Sequence, residues 1–186
     1  MGSFYVNYTI CHTDAPVVAK ALAGRSAFVT PAQNGCVVAY DAESDNQDQA
    51  IVMELGLILS SELECAVLAV LNHDDDLLWY QLFSNGDIED EYDSSPGILE
   101  SDSGGEIETP SGGDARKLCA TFRSNAAAKV QAILSDTKNY VFALERHAAL
   151  VRALGLPEFA VGFGYKAIQR RKIPKGLKES DLIRVS

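Results

Sequence analysis

The chain has 186 residues, 47% of them apolar, with seven Tyr and seven Phe, enough for one domain with a real core and too many for global disorder. Its longest apolar windows fall far short of the ~20 residues that span a bilayer, and its start, MGSFYVNYTI, lacks the three regions of a signal peptide, so a soluble, cytoplasmic protein is expected. The net charge of −10 is unevenly laid out: residues 1–113 hold two basic and twenty acidic residues, and residues 114–186 hold fourteen basic and six acidic ones.

Residues Gly2–Cys11 alternate Tyr, Val, Thr and Ile in the manner of a strand. Asp14-Ala-Pro16 then reads as an acidic cap with an early proline, opening a helix through Val17, Val18, Ala21 and Leu22 that Gly24 ends. Ser26–Thr30 and Cys36–Tyr40 are short β-type runs joined through Asn34-Gly35, a hairpin dipeptide whose two residues tolerate positive φ. Asn46 and Gln49 approximate a capping box for a second helix carrying Ile51, Val52, Leu55, Ile58 and Leu59 on one stripe. Cys65–Leu71 is continuously apolar, as in a strand covered on both faces. The turn Asn72-His73-Asp74-Asp75-Asp76, the strand Leu77–Phe83, the hairpin turn Asn85-Gly86 and the acid-laced strand Ile88–Tyr92 complete a meander.

This order predicts an α+β fold with a ferredoxin-like βαββαβ core over residues 1–93, extended by an antiparallel hairpin or meander. In that arrangement the third strand lies antiparallel beside the first, which brings Cys11 towards Cys36. Residues 94–113, rich in Gly, Ser and acids, form a long flexible loop where the charge changes sign. Residues 114–186 form a basic, mainly helical extension packed on the core. There Asp114 and Asn125 are the caps of two short helices and Lys138–Leu154 a longer one; Phe159–Ile168 and Leu182–Val185 are short strands.

Four groups of residues could carry chemistry. His73, Asp74, Asp75 and Asp76 offer hard-metal ligands for a small metal-dependent hydrolase, but consecutive turn residues point apart, and solvated turn chemistry explains them. Cys11, Cys36, Cys65 and Cys119 form no CxxC pair and read as reduced thiols; His12 points away from Cys11, and His147 reads as a partly buried helix residue. Gly162-Phe-Gly164 lacks the rest of a phosphate loop. No catalytic residue, metal or cofactor is therefore assigned.

The fourth group is a contact surface. Trp79, Tyr80 and Phe83 on the meander strand are aromatic anchors if exposed, and Tyr165, Arg170, Arg171 and Lys172 lead the basic stretch that continues to Lys178. Cations beside aromatics suit single-stranded nucleic acid, but the acidic front half repels phosphates unless it is held well away, so nucleic acid is disfavoured. The expectation is a non-catalytic binding or regulatory module that works by protein–protein contact, with a protein partner or with itself. An acidic mimic of nucleic acid that inhibits a basic partner is a further alternative. The bland reading of the charge split is that the basic part neutralises the acidic part within one molecule.

Overall fold

The computed structural model describes residues 2–98 and 109–186. Among these residues the chain forms eight strands in one fully antiparallel sheet and six α-helices, a mixed α+β protein. The strands are β1 (Tyr5–Cys11), β2 (Ala27–Val29), β3 (Cys36–Asp41), β4 (Ala66–His73), β5 (Leu77–Ser84), β6 (Asp87–Asp93), β7 (Ser111–Gly112) and β8 (Ile183–Val185). Their spatial order is β7-β6-β5-β4-β1-β3-β2-β8. Between them run α1 (Ala15–Ala21), α2 (Gln49–Glu62), α3 (Ala115–Thr121), α4 (Ala127–Ser135), α5 (Ala143–Leu154) and α6 (Tyr165–Gln169).

Both faces of the sheet are covered, which is why its central strands are apolar on both sides. Alternation along β1 sends Val6, Tyr8 and Ile10 to one core with Val18 of α1 and Val52, Leu55 and Leu59 of α2. Tyr5 and Cys11 face the opposite core, with Leu118 of α3, Val130 and Ile133 of α4, Leu150 and Leu154 of α5, and Ile168 of α6. Gly56 lets α2 lie close on β5, since a Cβ there would come within 2.3 Å of the Phe83 ring.

The hairpin dipeptides behave as their chemistry requires. Asn34 and Gly35 have φ of 53° and 75°, and Asn85 and Gly86 of 50° and 86°, the all-positive pattern of a two-residue turn matched to strand twist. Asp14 caps α1 by accepting from Val17 N–H, and Asp114 caps α3 by accepting from Arg116 and Lys117 N–H. The cap of α2 is Asp48, whose carboxylate takes the Ala50 N–H, and not Asn46, which lies in a preceding 3-10 turn. Ala126 occupies the start of α4 in place of Asn125, and α5 begins at Ala143, later than Lys138.

Two larger differences concern the C-terminal part. Phe159–Ile168 is not a strand: a 3-10 turn (Glu158–Ala160) precedes α6. The final segment does form a strand, β8, and it pairs with β2 at the far edge of the sheet. Residues 99–108 of the expected 94–113 loop lie outside the described residues, and Ser111–Gly112 pairs with the end of β6.

Candidate functional site

The basic segment is fastened to the sheet by its backbone, which leaves its charged side chains outward. Asn7 in β1 donates from Nδ2 to the carbonyls of Ala160 and Phe163 at 2.6 and 2.8 Å, and Tyr40 in β3 donates to the Phe159 carbonyl at 2.7 Å. Asp45, buried at the end of the sheet where β1 begins, accepts from Val6 N–H and from Lys166 N–H at 3.1 and 2.8 Å. Burial pushes the Asp45 carboxyl above its ordinary range despite these donors. Gly164 makes the close approach workable, since a Cβ there would sit 2.2 Å from Asp45 Oδ1. Lys166 folds its Nζ back onto the Asp45 carbonyl and Asn46 Oδ1.

Tyr165 packs its ring on Phe28 of β2, 5.2 Å between centroids, and Ile168 enters the core. After α6 the chain reverses at Arg171, whose φ is 60°, while Arg171 and Lys172 N–H groups close back on the carbonyls of Ile168 and Ala167. A tight turn over Glu179–Asp181 then leads into β8. Arg170, Arg171, Lys172, Lys175, Lys178 and Arg184 are all exposed. Among the described residues the ion pair formed by this group joins Arg171 and Glu179 at 4.0 Å, both largely solvated, a contact of little weight.

The acidic edge lies elsewhere. Asp87, Glu89 and Glu91 on β6 are exposed. Six strand spacings separate β6 from β8 in the sheet order, about 29 Å at ~4.8 Å each. Arg184 on β8 is therefore out of reach of the acidic side chains of β6 within one molecule, while α6, which leads into Arg170–Lys178, packs over β1 and β2, three or more spacings from β6. The near end of the extension does touch the meander: Lys117 Nζ of α3 donates to the Glu89 backbone carbonyl at 2.7 Å and Asp114 N–H to Asp90 Oδ2 at 2.9 Å.

Three of the expected contact residues are withdrawn from the surface. Trp79, Tyr80 and Phe83 are 4%, 2% and 0% exposed, Trp79 and Phe83 under the α1/α2 layer and Tyr80 under the opposite one. The physical reason is that β5 is an interior strand with helices over both faces, so alternation offers neither side to a partner. Tyr165 is half-buried against Phe28, and only Arg170, Arg171 and Lys172 of the expected set present charged, accessible ends.

The His73–Asp76 turn is occupied by structural tasks. Asp74 and Asp75 have positive φ, 51° and 63°. Asp74 Oδ1 accepts from Gly2 N–H and Asp75 Oδ2 from Ser3 N–H, both at 3.0 Å, while His73 Nδ1 meets Gln47 Oε1 at 2.7 Å. Among the described residues no three His, Cys, Asp or Glu side chains come together as a metal ion requires.

The cysteines need a correction. Cys11 and Cys36, directly paired in register between β1 and β3, form a disulfide, so these two are not reduced thiols. Topology is the cause, since the predicted neighbourhood of the first and third strands places the two sulfurs side by side. Cys65 and Cys119 remain free thiols and are buried.

Two buried polar groupings were not visible in the sequence. Tyr5 Oη accepts from Asn72 Nδ2 at 3.3 Å and shares a 2.7 Å hydrogen bond with His147 Nδ1 in the interior. Burial pulls His147 down to about 3. Next to it in sequence, Arg146 is buried with its guanidinium on the Tyr92 hydroxyl and on the carbonyls of Ile133, Leu134 and Asp136, at the negative end of α4. The adjacent Arg-His pair on one helix gives no hint of these partners, which come from three other elements.

Two hollows among the described residues differ in character. A cavity of about 10 Å³ beside His147, walled by leucines and valines, is no larger than one water. An open groove of about 440 Å³ is lined by Arg25, Asp41 and Glu43. Arg25 spends its charge there on Asp41, at 2.8 and 2.9 Å, and on Glu43. Burial alone would raise Asp41, but Arg25 and the Ser44 donors hold it below the usual carboxylate range. No helix among the described residues is long and apolar enough to cross a membrane.

No family model matches the chain, and no curated protein or solved structure matches it. The geometry of its own residues is accordingly what bears on its role.

Proposed function

We propose that this chain is a non-catalytic binding or regulatory module acting through protein–protein contact, and that the basic edge built by α6, the turn after it and β8 is its contact surface. On this reading β1–α1–β2–β3–α2–β4, with the strand order β4-β1-β3-β2, is a ferredoxin-like scaffold, and the remaining strands and helices are additions that carry the surface. One observation carries the proposal: Arg170, Arg171, Lys172, Lys175, Lys178 and Arg184 stand exposed on a backbone-anchored segment, with a weak ion pair and no acidic neighbour strand.

Arg184 on β8 lies about 29 Å from β6, and α6, over β1 and β2, lies three or more strand spacings or about 14 Å away, both beyond the ~8 Å screening length of physiological salt, which weakens any cancelling by the acidic edge. A protein is favoured over nucleic acid because the Tyr165 ring, at the start of the basic segment, is packed at a tilt against Phe28 and is not splayed for bases. Glu179 and Asp181 are also interspersed among the cations. The test is amine-directed cross-linking in cell extract with the whole chain and with its Arg170→Glu/Arg171→Glu/Lys172→Glu variant. The reading expects a discrete protein adduct through Lys172, Lys175 or Lys178 that the variant loses. Retention of nucleic acid in its place, or an adduct indifferent to the three reversals, overturns it.

A further inference from the structure

We infer that the partner of the basic edge is the acidic edge of a second copy of the same chain, in a head-to-tail contact. The inference rests on the reading of the basic edge as a protein-contact surface and adds the identity of what it meets. The complement is present in the molecule itself. Asp87 and Glu89 project from β6 with Glu91, and their neighbour Ile88 is 45% exposed. Those anions are opposite in sign to the six exposed cations of the basic edge, whose segment is seated on the core through the half-buried Ile173, Leu177 and Leu182.

Both surfaces are also sheet edges with unpaired length. Among the described residues β7 pairs only with Tyr92 and Asp93, and Gly113 N–H and Lys117 Nζ take the Glu91 and Glu89 carbonyls, so the open part of the β6 edge is its start at Asp87 and Ile88; β8 has a strand neighbour on one side only. Charged edges of this kind deter random strand pairing, but edges of opposite sign meet without that penalty. The two cannot meet within one molecule, because six strand spacings of a packed sheet hold them apart.

Geometry then fixes the kind of assembly. The two patches lie at opposite edges of the sheet, so a single acidic-to-basic contact is heterologous, and each added copy leaves one acidic and one basic edge available. The consequence is addition beyond two copies, ending in a ring where the rotation closes and in a filament where it does not. Screening sets its conditions: at about 0.1 M salt the Debye length is ~10 Å, so facing edges attract at contact while the net charge of −10 is largely hidden, and at about 1 M the attraction itself is lost.

Light scattering on the full chain, with its disulfide intact, reads this directly. The expected result at about 0.1 M salt is a mass that climbs with concentration past that of a dimer and returns to the monomer at about 1 M. Two charge reversals sharpen it: Arg170→Glu/Arg171→Glu/Lys172→Glu on one edge and Asp87→Lys/Glu89→Lys on the other. All five side chains are exposed, and circular dichroism with melting confirms that each variant is folded. Each variant alone stays monomeric, and an equimolar mixture regains the higher mass because each supplies the sign the other lacks. A wild-type mass that is monomeric at every concentration and salt, or a mixture that stays monomeric, overturns the inference. If that happens while the cross-linked adduct still depends on Arg170, Arg171 and Lys172, the contact surface stands and only its partner was misassigned. Loss of both results removes the surface as well.

Discussion

Replacing Gly56 by alanine sets two effects of similar size against each other, and the structure decides which wins. In the middle of an exposed helix the change gains about 1 kcal/mol, because glycine gives up more backbone freedom. At position 56 the new methyl would lie 2.3 Å from Phe83 Cε2 and 2.6 Å from Cζ, where ordinary contact needs about 3.5–4.0 Å. Phe83 is fully buried in an interior strand and has nowhere to swing, so α2 must lift or the ring must leave its rotamer. Overpacking of this sort costs about 1–3 kcal/mol, and the tightness of the site argues for the upper part of that range. The net expectation is a loss of about 1–2 kcal/mol. Urea unfolding followed by the single tryptophan, Trp79, measures it, since that ring is buried in the same core. Shortening the ring with Phe83→Leu removes the clashing atoms, so the double variant is expected to exceed the sum of the single ones by about 1 kcal/mol. A Gly56→Ala protein more stable than wild type, with no coupling to Phe83→Leu, would refute the close-packing argument.

Two further outcomes follow from the interior. The Cys11–Cys36 disulfide spans a sequence separation of 25, so by chain-entropy reasoning its reduction costs about 3.5 kcal/mol. Thiol titration of unfolded, unreduced protein should count two free thiols and four after a reductant; four at the outset would show that the bond does not form. His147 is neutral when folded, with its affinity for a proton pushed down to about 3 from an ordinary 6.5. Because the folded value is the lower one, its contribution is complete above pH 6.5 and is lost as pH falls towards 3, about 2.5 kcal/mol by pH 4.5. Denaturation midpoints between pH 6.5 and 4.5 should therefore slope for wild type and flatten for His147→Gln, and a slope unchanged in that variant would exclude this source.

Local chemistry made much of the fold legible. Asn34-Gly35 and Asn85-Gly86 announce their turns because few other residues accept two successive positive φ values, and Asp14 with Pro16 marks a helix start. The neighbourhood of Cys11 and Cys36 followed from strand order, yet the bond itself did not, because cysteine type alone does not reveal oxidation. Residues 159–168 misled for a different reason. Their aromatic and aliphatic content suits a strand, but the backbone is captured by Asn7, Tyr40 and Asp45, partners more than a hundred positions away. Trp79, Tyr80 and Phe83 carry the composition of an interface, and only the tertiary placement of helices on both sides assigns them to the interior. The basic stretch was plain as composition. Its separation from the acidic strand depends on the sheet order, which no local pattern encodes.

The pairing of β8 with β2 has a consequence for how the molecule comes into being. Residues 27–29 and the strand that covers their outer side, residues 183–185, are more than 150 positions apart in the chain. Contacts between such distant segments form late, since a long loop must close before they reward it. Throughout synthesis β2 thus offers its amide and carbonyl row to whatever extended segment is near, including β8 of a neighbouring nascent chain. A chain without residues 183–185 leaves that row open.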